Sequence, residues 1–497
     1  MRYLVIAVSW VFVLAAFAFA APRVRRAFIH DVVTWDAEPG EPAPLPVNDA
    51  AGLPRTPKTR VVLVDGLGAA MTHGLPSWEA LCKRGVDVTV DVGFPSVSLP
   101  VEVALWSGLT QQQTGIVLRS DRPLDPPLDK RGIPAQVPGS IAVAENHGWI
   151  VRSLGFAHVA PAADPQAPAK DAEPEAWKRR WLDEARAAVA SDAPLVFVHV
   201  LEVDNAGHQH GGASPEYAAA ARDADTVVGQ LVAAAPDARW FALSDHGHLP
   251  GGGHGGEERD VRQVRDCIAG PGVPHGGTSL VHVVDIARAI ADSVGAKLDP
   301  ASRGRPLSAA IIHPLAPDQA IPPLPLARGA WAILSLVLGL ALTAWGTRRW
   351  WLVPWWFIAA AALLLAIRGI PTLSTPMIFK PEGRDMWLAW LAALPIAAVA
   401  TYFGRRVTTL SRVVAAQLAL PVAAAVAGMF ACGAWRPLFG AHLAPVVPHY
   451  TALLSPALLM AAQGAGAVAL AILATLVPRR SGRSSPPAAP HSEPAAD

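Results

Sequence analysis

The chain has 497 residues and sets 41 Lys and Arg against 40 Asp and Glu, a net charge of +1 that excludes a nucleic-acid partner needing a clustered basic face. Hydrophobic residues make up 52% of it, more than a soluble enzyme carries, so part of the chain meets lipid. Three cysteines, Cys82, Cys267 and Cys432, exclude a disulfide framework or a thiolate metal site. Cys432 falls in an apolar run, which leaves only Cys82 and Cys267 able to pair, and unpaired burial is the expectation for each.

An apolar run over residues 3–21 follows Met1 and Arg2 and ends near Ala18-Phe19-Ala20, a small-x-small cleavage pattern. Residues 1–22 therefore read as a signal peptide or an N-terminal membrane anchor, and either one sends the next part of the chain across a membrane. Residues 23–58 are rich in Pro, Ala and acid and have no period, as a linker would.

Folding resumes at about residue 59. The β-branched run 60–64 stops at Asp65 in front of Gly66 and Gly68, a buried strand that delivers a carboxylate to a tight turn. A second strand, 86–92, leads into Gly93-Phe94-Pro95-Ser96-Val97-Ser98-Leu99-Pro100, and helical spacing comes next over 101–108. Ser98 then lies at a strand-to-helix junction, with Pro100 near the first helical position and free N–H groups that can hold a phosphoryl group while a hydroxyl attacks it.

Further on, 149–155 reads as a strand, 174–191 as an amphipathic helix, 195–200 as a strongly buried strand, 215–235 as a helix, 240–244 as a strand and 281–294 as a closing helix. Buried strands separated by helices predict an α/β domain over 59–298, with a mainly parallel sheet covered on both faces. Ligands bind such sheets outside the carboxyl ends of the strands, where Asp65, Ser98, Asp204 and Asp245 all fall.

A Pro-rich linker, 299–326, opens a different region. Over 327–478 the stretches 330–345, 350–367, 386–403, 413–435 and 452–477 are nearly free of charge and approach the roughly 17–25 residues needed to span a bilayer. Five all-α transmembrane spans are expected. Alternate connections carry Arg348 and Arg349, then Arg405, Arg406 and Arg412, then Arg479, Arg480 and Arg483, which marks that side as cytoplasmic. The expectation is a multi-pass protein of the cell membrane, in contact with membrane lipid, with its α/β domain on the extracytoplasmic side. The Pro, Ser and Ala-rich tail, 479–497, reads as disordered.

The chemistry gathers after the strands. Asp204 and His208 stand one helical turn apart, a spacing that lets a carboxylate and an imidazole meet one cation. Asp245 and His246 come after the next strand, and a Gly-rich turn, GGGHGG, can fold His254 back to the same edge. With Asp65 this makes three carboxylates and three imidazoles in one cleft, a costly set without cations. Oxygen and nitrogen ligands without thiolate suit Zn2+, with Mn2+ or another divalent ion as the alternative. His210, His248 and His275 lie near in sequence as spares.

In this order, DGLG, the serine before Leu-Pro, DxxGH, SDHG and a later HGG resemble the alkaline phosphatase superfamily, in particular its type I phosphodiesterase and nucleotide pyrophosphatase members and the GPI ethanolamine phosphate transferases. The likeness covers about 60–294 and implies an αβα sandwich of the alkaline phosphatase type. PSVSLPVEVALWSG is similar to the transferase pattern and implies Ser98, rather than Ser96, as nucleophile. The resemblance also implies one metal bound by Asp65, Asp245, His246 and the Ser98 oxygen, and a second bound by Asp204, His208 and His254. Ser98 stands where these relatives usually carry threonine, and Glu102 stands where sulfatases carry arginine, which speaks against sulfatase activity.

The implied function is a membrane-anchored, two-metal phosphoesterase that hydrolyses nucleotide or lipid-linked phosphodiesters or phosphomonoesters through a phosphorylated Ser98. Two alternatives remain: a phosphoethanolamine-type transferase acting on a lipid or glycan, and a membrane transport or scaffold protein with an inactive phosphatase-like domain.

Overall fold

The computed structural model describes residues 51–315 apart from positions 117–123, 125–126, 129–131, 147, 161–173 and 257. The expected N-terminal segment, most of the first linker, the five apolar spans and the tail lie outside these residues. Among the described residues no helix is long and apolar enough to cross a membrane.

The described residues form one sheet of eight strands: β1 (Thr59–Val64), β2 (Gly85–Asp91), β3 (Ile141–Ala144), β4 (His158–Ala160), β5 (Leu195–Val200), β6 (Arg239–Leu243), β7 (Gln263–Ala269) and β8 (Thr278–His282), in the order β4-β3-β5-β1-β6-β7-β2-β8. The principal helices are α1 (Pro76–Lys83), α2 (Ser98–Ser107), α3 (Gly148–Ser153), α4 (Pro174–Ala190), α5 (Glu202–His210), α6 (Pro215–Ala234), α7 (Val283–Val294) and α8 (Leu307–Ile312). The sheet is mainly parallel, as expected. Only β7 runs against its neighbours, pairing antiparallel with both β6 and β2.

Alternation along the central strands divides the core in two. Val61, Leu63, Leu195 and Phe197 pack beneath α2, α3 and α7, while Val62, Val64, Val196 and Val198 pack beneath α1, α4 and α6. Every residue of β1, β5 and β6 is buried, which is why these segments read as continuous apolar runs rather than alternating ones. Arg60 is the charged exception in β1. Its guanidinium donates to the Val189, Ser191 and Ala193 carbonyls at 2.7–2.8 Å and ties the strand to the end of α4.

Two expectations are corrected. Residues 149–155 do not form a strand: Gly148–Ser153 is a helix, and the strands on that side are the short β3 and β4, which Gly139 and Gly155 punctuate. Its apolar residues cover one face of the sheet, and an apolar run of that length fits either structure. Cys82 and Cys267 are not unpaired. They form a disulfide between α1 and β7 with a Cα–Cα separation of 4.7 Å, across 185 residues of sequence. The sheet order brings β7 beside β2, the strand that α1 leads into, and no sequence spacing encodes that adjacency. The stretch read as the second linker carries α8, which packs on β8 through the Ser279 hydroxyl bond to the Ile311 carbonyl.

Candidate active site

β5, β1 and β6 are adjacent and parallel, so their carboxyl ends deliver Asp65, the Asp204 helix and Asp245 to one edge in a row. The DGLG turn after β1 is held from three sides. The Gly66 N–H donates to Asp245 Oδ1 at 3.0 Å, the Leu67 N–H to Ser244 Oγ at 3.1 Å, and the Gly68 N–H to the Tyr217 hydroxyl at 2.8 Å. Tyr217 in turn donates to the Gly66 carbonyl at 2.5 Å. Gly66 has φ +74°, and a Cβ there would stand 2.8 Å from the Asp204 Cα, so a side chain would push the two carboxylate-bearing segments apart.

Ser98 is the first residue of α2, and Pro100 is the third, because the helix begins three residues before the expected 101. The Ser98 Oγ lies 3.3 Å from Asp65 Oδ1 and 3.2 Å from His246 Nε2. Ser96, the other serine of this loop, is fully buried and donates to the Gly256 carbonyl at 2.8 Å. His246 Nε2 also lies 3.4 Å from Asp65 Oδ1 and 3.4 Å from Asp245 Oδ2. Asp245 Oδ1 is committed to the backbone N–H groups of Gly66 and His246, whereas its Oδ2 is buried and has no hydrogen-bond partner among the described residues.

A second cluster hangs from α5. The start of this helix is capped from outside, by Glu145 Oε2 accepting from the Leu201 and Glu202 N–H groups at 2.7 and 3.2 Å. One turn later His208 Nε2 lies 3.4 Å from Asp204 Oδ1, and the GGGHGG turn returns His254 so that its Nε2 is 3.1 Å from His208 Nε2 and 3.7 Å from Asp204 Oδ1. His248 joins them, with Nε2 2.9 Å from Asp204 Oδ1. Its ring fills the space beside Gly207, where a Cβ would come within 2.3 Å of the imidazole. The glycine of DNAGH is thus required by packing.

The arrangement suits cations. Asp65, Asp245 and His246 each offer a ligand atom with all three atoms within 4.8 Å of one another, and so do Asp204, His208 and His254. His246 Nδ1 faces the Gly247 carbonyl at 3.2 Å and His254 Nδ1 faces the Ser96 carbonyl at 3.1 Å. Donation from Nδ1 leaves each Nε2 with its lone pair directed into the site, the orientation a metal-ligating imidazole takes. Burial, together with the Asp245 and Asp204 carboxylates, holds Asp65 well above the usual carboxylate range. Burial also acts upward on Asp204, but His208, His248 and His254 outweigh it and hold that carboxyl well below its ordinary value. His254 is held well below the usual imidazole range by burial and by His246 and His208, which keeps its nitrogen unprotonated.

All seven residues singled out from the sequence, Asp65, Ser98, Asp204, His208, Asp245, His246 and His254, lie in these two adjoining clusters, linked by the 4.0 Å approach of His246 Nε2 to Asp204 Oδ1. Of the spares, His210 and His275 are exposed and His248 is inside. Sequence reasoning missed Tyr217, Glu145 and His199. Tyr217 lies within an ordinary Ala-rich helix, and His199 sits within the apolar run LVFVHV, where an imidazole in a strand buried on both faces was the available signal.

Residues 156–269 match the family model described as Type I phosphodiesterase / nucleotide pyrophosphatase, a segment that contains Asp204, His208, Asp245, His246 and His254. No curated protein sequence matches the chain. Among solved structures, the chain is similar to murine ectonucleotide pyrophosphatase / phosphodiesterase 5, with 13% identity and a TM-score of 0.37 over 52% of this chain and 100% of that one. It is similar to a phosphonate monoester hydrolase from Silicibacter pomeroyi, with 15% identity and a TM-score of 0.37 over 53% of this chain and 78% of that one. A Vibrio parahaemolyticus protein in the alkaline phosphatase superfamily gives 15% identity and a TM-score of 0.37 over 58% and 78%.

Proposed function

We propose that this chain, whose residues 156–269 match the type I phosphodiesterase / nucleotide pyrophosphatase family model, hydrolyses phosphate esters with Ser98 as nucleophile. Asp65, Asp245, His246 and the Ser98 oxygen would hold one divalent cation, and Asp204, His208 and His254 a second, with Zn2+ favoured by the ligand set and Mn2+ the alternative. Three carboxylates and one serine oxygen carry the four negative charges that two dications balance. Such a pair of cations neutralises charge on the attacking and leaving oxygens of an in-line displacement. In the net step the Ser98 proton passes to the leaving oxygen as Oγ bonds to phosphorus and the bond to that oxygen breaks, releasing the alcohol. Water then attacks the same phosphorus, the Oγ–P bond breaks, and one proton of the water returns to Ser98.

The observation that carries this reading is the approach of the Ser98 Oγ to within 3.3 Å of Asp65 and 3.2 Å of His246. The substrate class we propose is a nucleotide or lipid-linked phosphate ester, handled on the extracytoplasmic side of the cell membrane. Support for that location comes from the apolar stretches between residues 327 and 478 and from the Cys82–Cys267 disulfide, a bond that persists in oxidising compartments.

A transferase would differ only in the acceptor, and the same apolar region favours it as a surface on which a lipid donor is presented. The test is product release by the purified full chain from phosphomonoester, phosphodiester and lipid-linked donors, with and without an acceptor alcohol, in Zn2+ or Mn2+. Turnover independent of acceptor supports hydrolysis. Turnover that requires the acceptor makes the chain a transferase, and no turnover of any donor removes the catalytic reading.

A further inference from the structure

Behind Asp65 lies a pair of ionisable side chains that the proposed reaction does not use. His199 and Glu102 are both fully buried, and His199 Nε2 is 3.1 Å from Glu102 Oε1 and 3.3 Å from Asp65 Oδ2. Local structure sets this contact. His199 stands opposite Leu63 in the β1–β5 register, just before the carboxyl edge of the sheet. Glu102 is four residues after Ser98 on α2, so the two share a face one turn apart. The carboxylate of Asp65 is thereby divided: Oδ1 faces Ser98 Oγ and His246 Nε2 at 3.3 and 3.4 Å, and Oδ2 faces His199.

We infer that His199, itself held by Glu102, is a positioning residue that fixes the rotation of the Asp65 carboxylate and so sets cation affinity at the Asp65 centre. The surroundings argue that stability is not its contribution. The imidazole lies edge-on to Phe197 at 6.1 Å, and Phe197 packs in turn on Trp106 at 5.1 Å and Phe156 at 5.6 Å, so the pair is set against an aromatic core. A buried ion pair in such a place is at best neutral against apolar residues of similar volume. What an apolar pair would lack is a polar nitrogen 3.3 Å from Asp65 Oδ2, an oxygen that has no hydrogen bond among the described residues. A carboxylate steered only through its other oxygen can turn away from the reaction centre. Partners behind a metal ligand are worth about 10–100-fold in metal affinity.

This inference rests on the two-cation reading of the site, and the test separates the two. Zn2+ per chain and Zn2+ affinity, by competition with a chelator, are measured on the full chain for the wild type, His199→Gln, His199→Leu and the double variant Glu102→Leu/His199→Leu. The wild type should bind two ions. His199→Gln keeps an N–H donor near the Nε2 position and should stay within about threefold. His199→Leu and the double variant should bind one of the two ions about 10–100-fold more weakly. The double variant leaves no unpaired charge, so without metal it should melt at or above the wild-type temperature. If it binds both ions as the wild type does, or fails to fold while His199→Gln folds normally, the pair is a structural element and the inference is overturned. A wild type that binds no Zn2+ and no Mn2+ overturns the proposed function as well.

Discussion

The imidazole Nε2 of His248 lies 2.9 Å from Asp204 Oδ1, nearer than the nitrogens of His208 at 3.4 Å and His254 at 3.7 Å, although His248 is 44 residues away in sequence. Removing the closest partner of a buried carboxylate leaves it unsteered. His248→Ala should therefore weaken Zn2+ binding at the Asp204 cluster by about 10–100-fold while leaving secondary structure intact. Chelator competition measures the affinity and circular dichroism the fold; an unchanged affinity would reduce His248 to a space-filling role beside Gly207.

Ser98 and Ser96 make opposite predictions. Ser98→Ala should bring turnover of p-nitrophenyl phosphate esters to background with bound metal retained, because the carboxylate and imidazole ligands remain. Ser98→Thr keeps the hydroxyl and should keep activity within about tenfold. Ser96→Ala loses a bond to the Gly256 carbonyl and should cost about 1 kcal/mol of stability rather than the reaction. Thermal melts and initial rates on the same preparations distinguish these outcomes.

Proton competition should govern metal binding. Burial and the neighbouring Asp245 and Asp204 carboxylates raise Asp65 well above 3.8 in the metal-free protein, whereas Asp204 stays ionised and His254 unprotonated. Below the raised Asp65 value a cation entering the site must therefore displace a proton from Asp65, and affinity should fall as pH drops through that value. The same shift has a sign in stability. Its contribution to the metal-free fold is fully present below the unfolded value, is lost as pH rises through the folded one, and is restored by metal. Calorimetry in buffers of different ionisation enthalpy should detect proton release; binding without release would show that Asp65 is not displaced.

The Cys82–Cys267 bond closes a loop of 185 residues, which stabilises chiefly by restricting the unfolded chain. Replacing both cysteines with serine should cost about 2–4 kcal/mol. Reductant should lower the melting temperature of the wild type and leave that of the double variant unchanged. A wild type indifferent to reductant would mean the thiols do not pair in the folded protein.

Arg265 bridges Glu79 and Asp87 at 2.7–2.8 Å, linking α1 to the antiparallel pair β2 and β7. The hydrogen bond from Arg265 lowers Glu79 below 4.5, so its contribution is present above that value and is lost as pH falls through the lowered one. With the Glu79 side chain 27% exposed, Glu79→Gln should cost about 0.5 kcal/mol at neutral pH and nothing in acid. Denaturant melts at both pH values check the difference.

Local signals were enough for the elements that deliver the chemistry. The runs before Asp65, Asp204 and Asp245 are buried on both faces, so their composition alone marked them as central parallel strands, and ligands gather at the carboxyl ends of such strands. The order DGLG, serine before Leu-Pro, DxxGH, SDHG and HGG was likewise visible, because each motif is a short turn or helix start whose geometry is local. Only the tertiary structure decided what depends on neighbours far apart in the chain. It admitted His248, paired Cys82 with Cys267, and stationed His199 and Glu102 behind Asp65. The physical reason is that strand order and register, which bring β5 beside β1 and β7 beside β2, are set by the packing of the whole sheet and leave no periodicity in the residues they join.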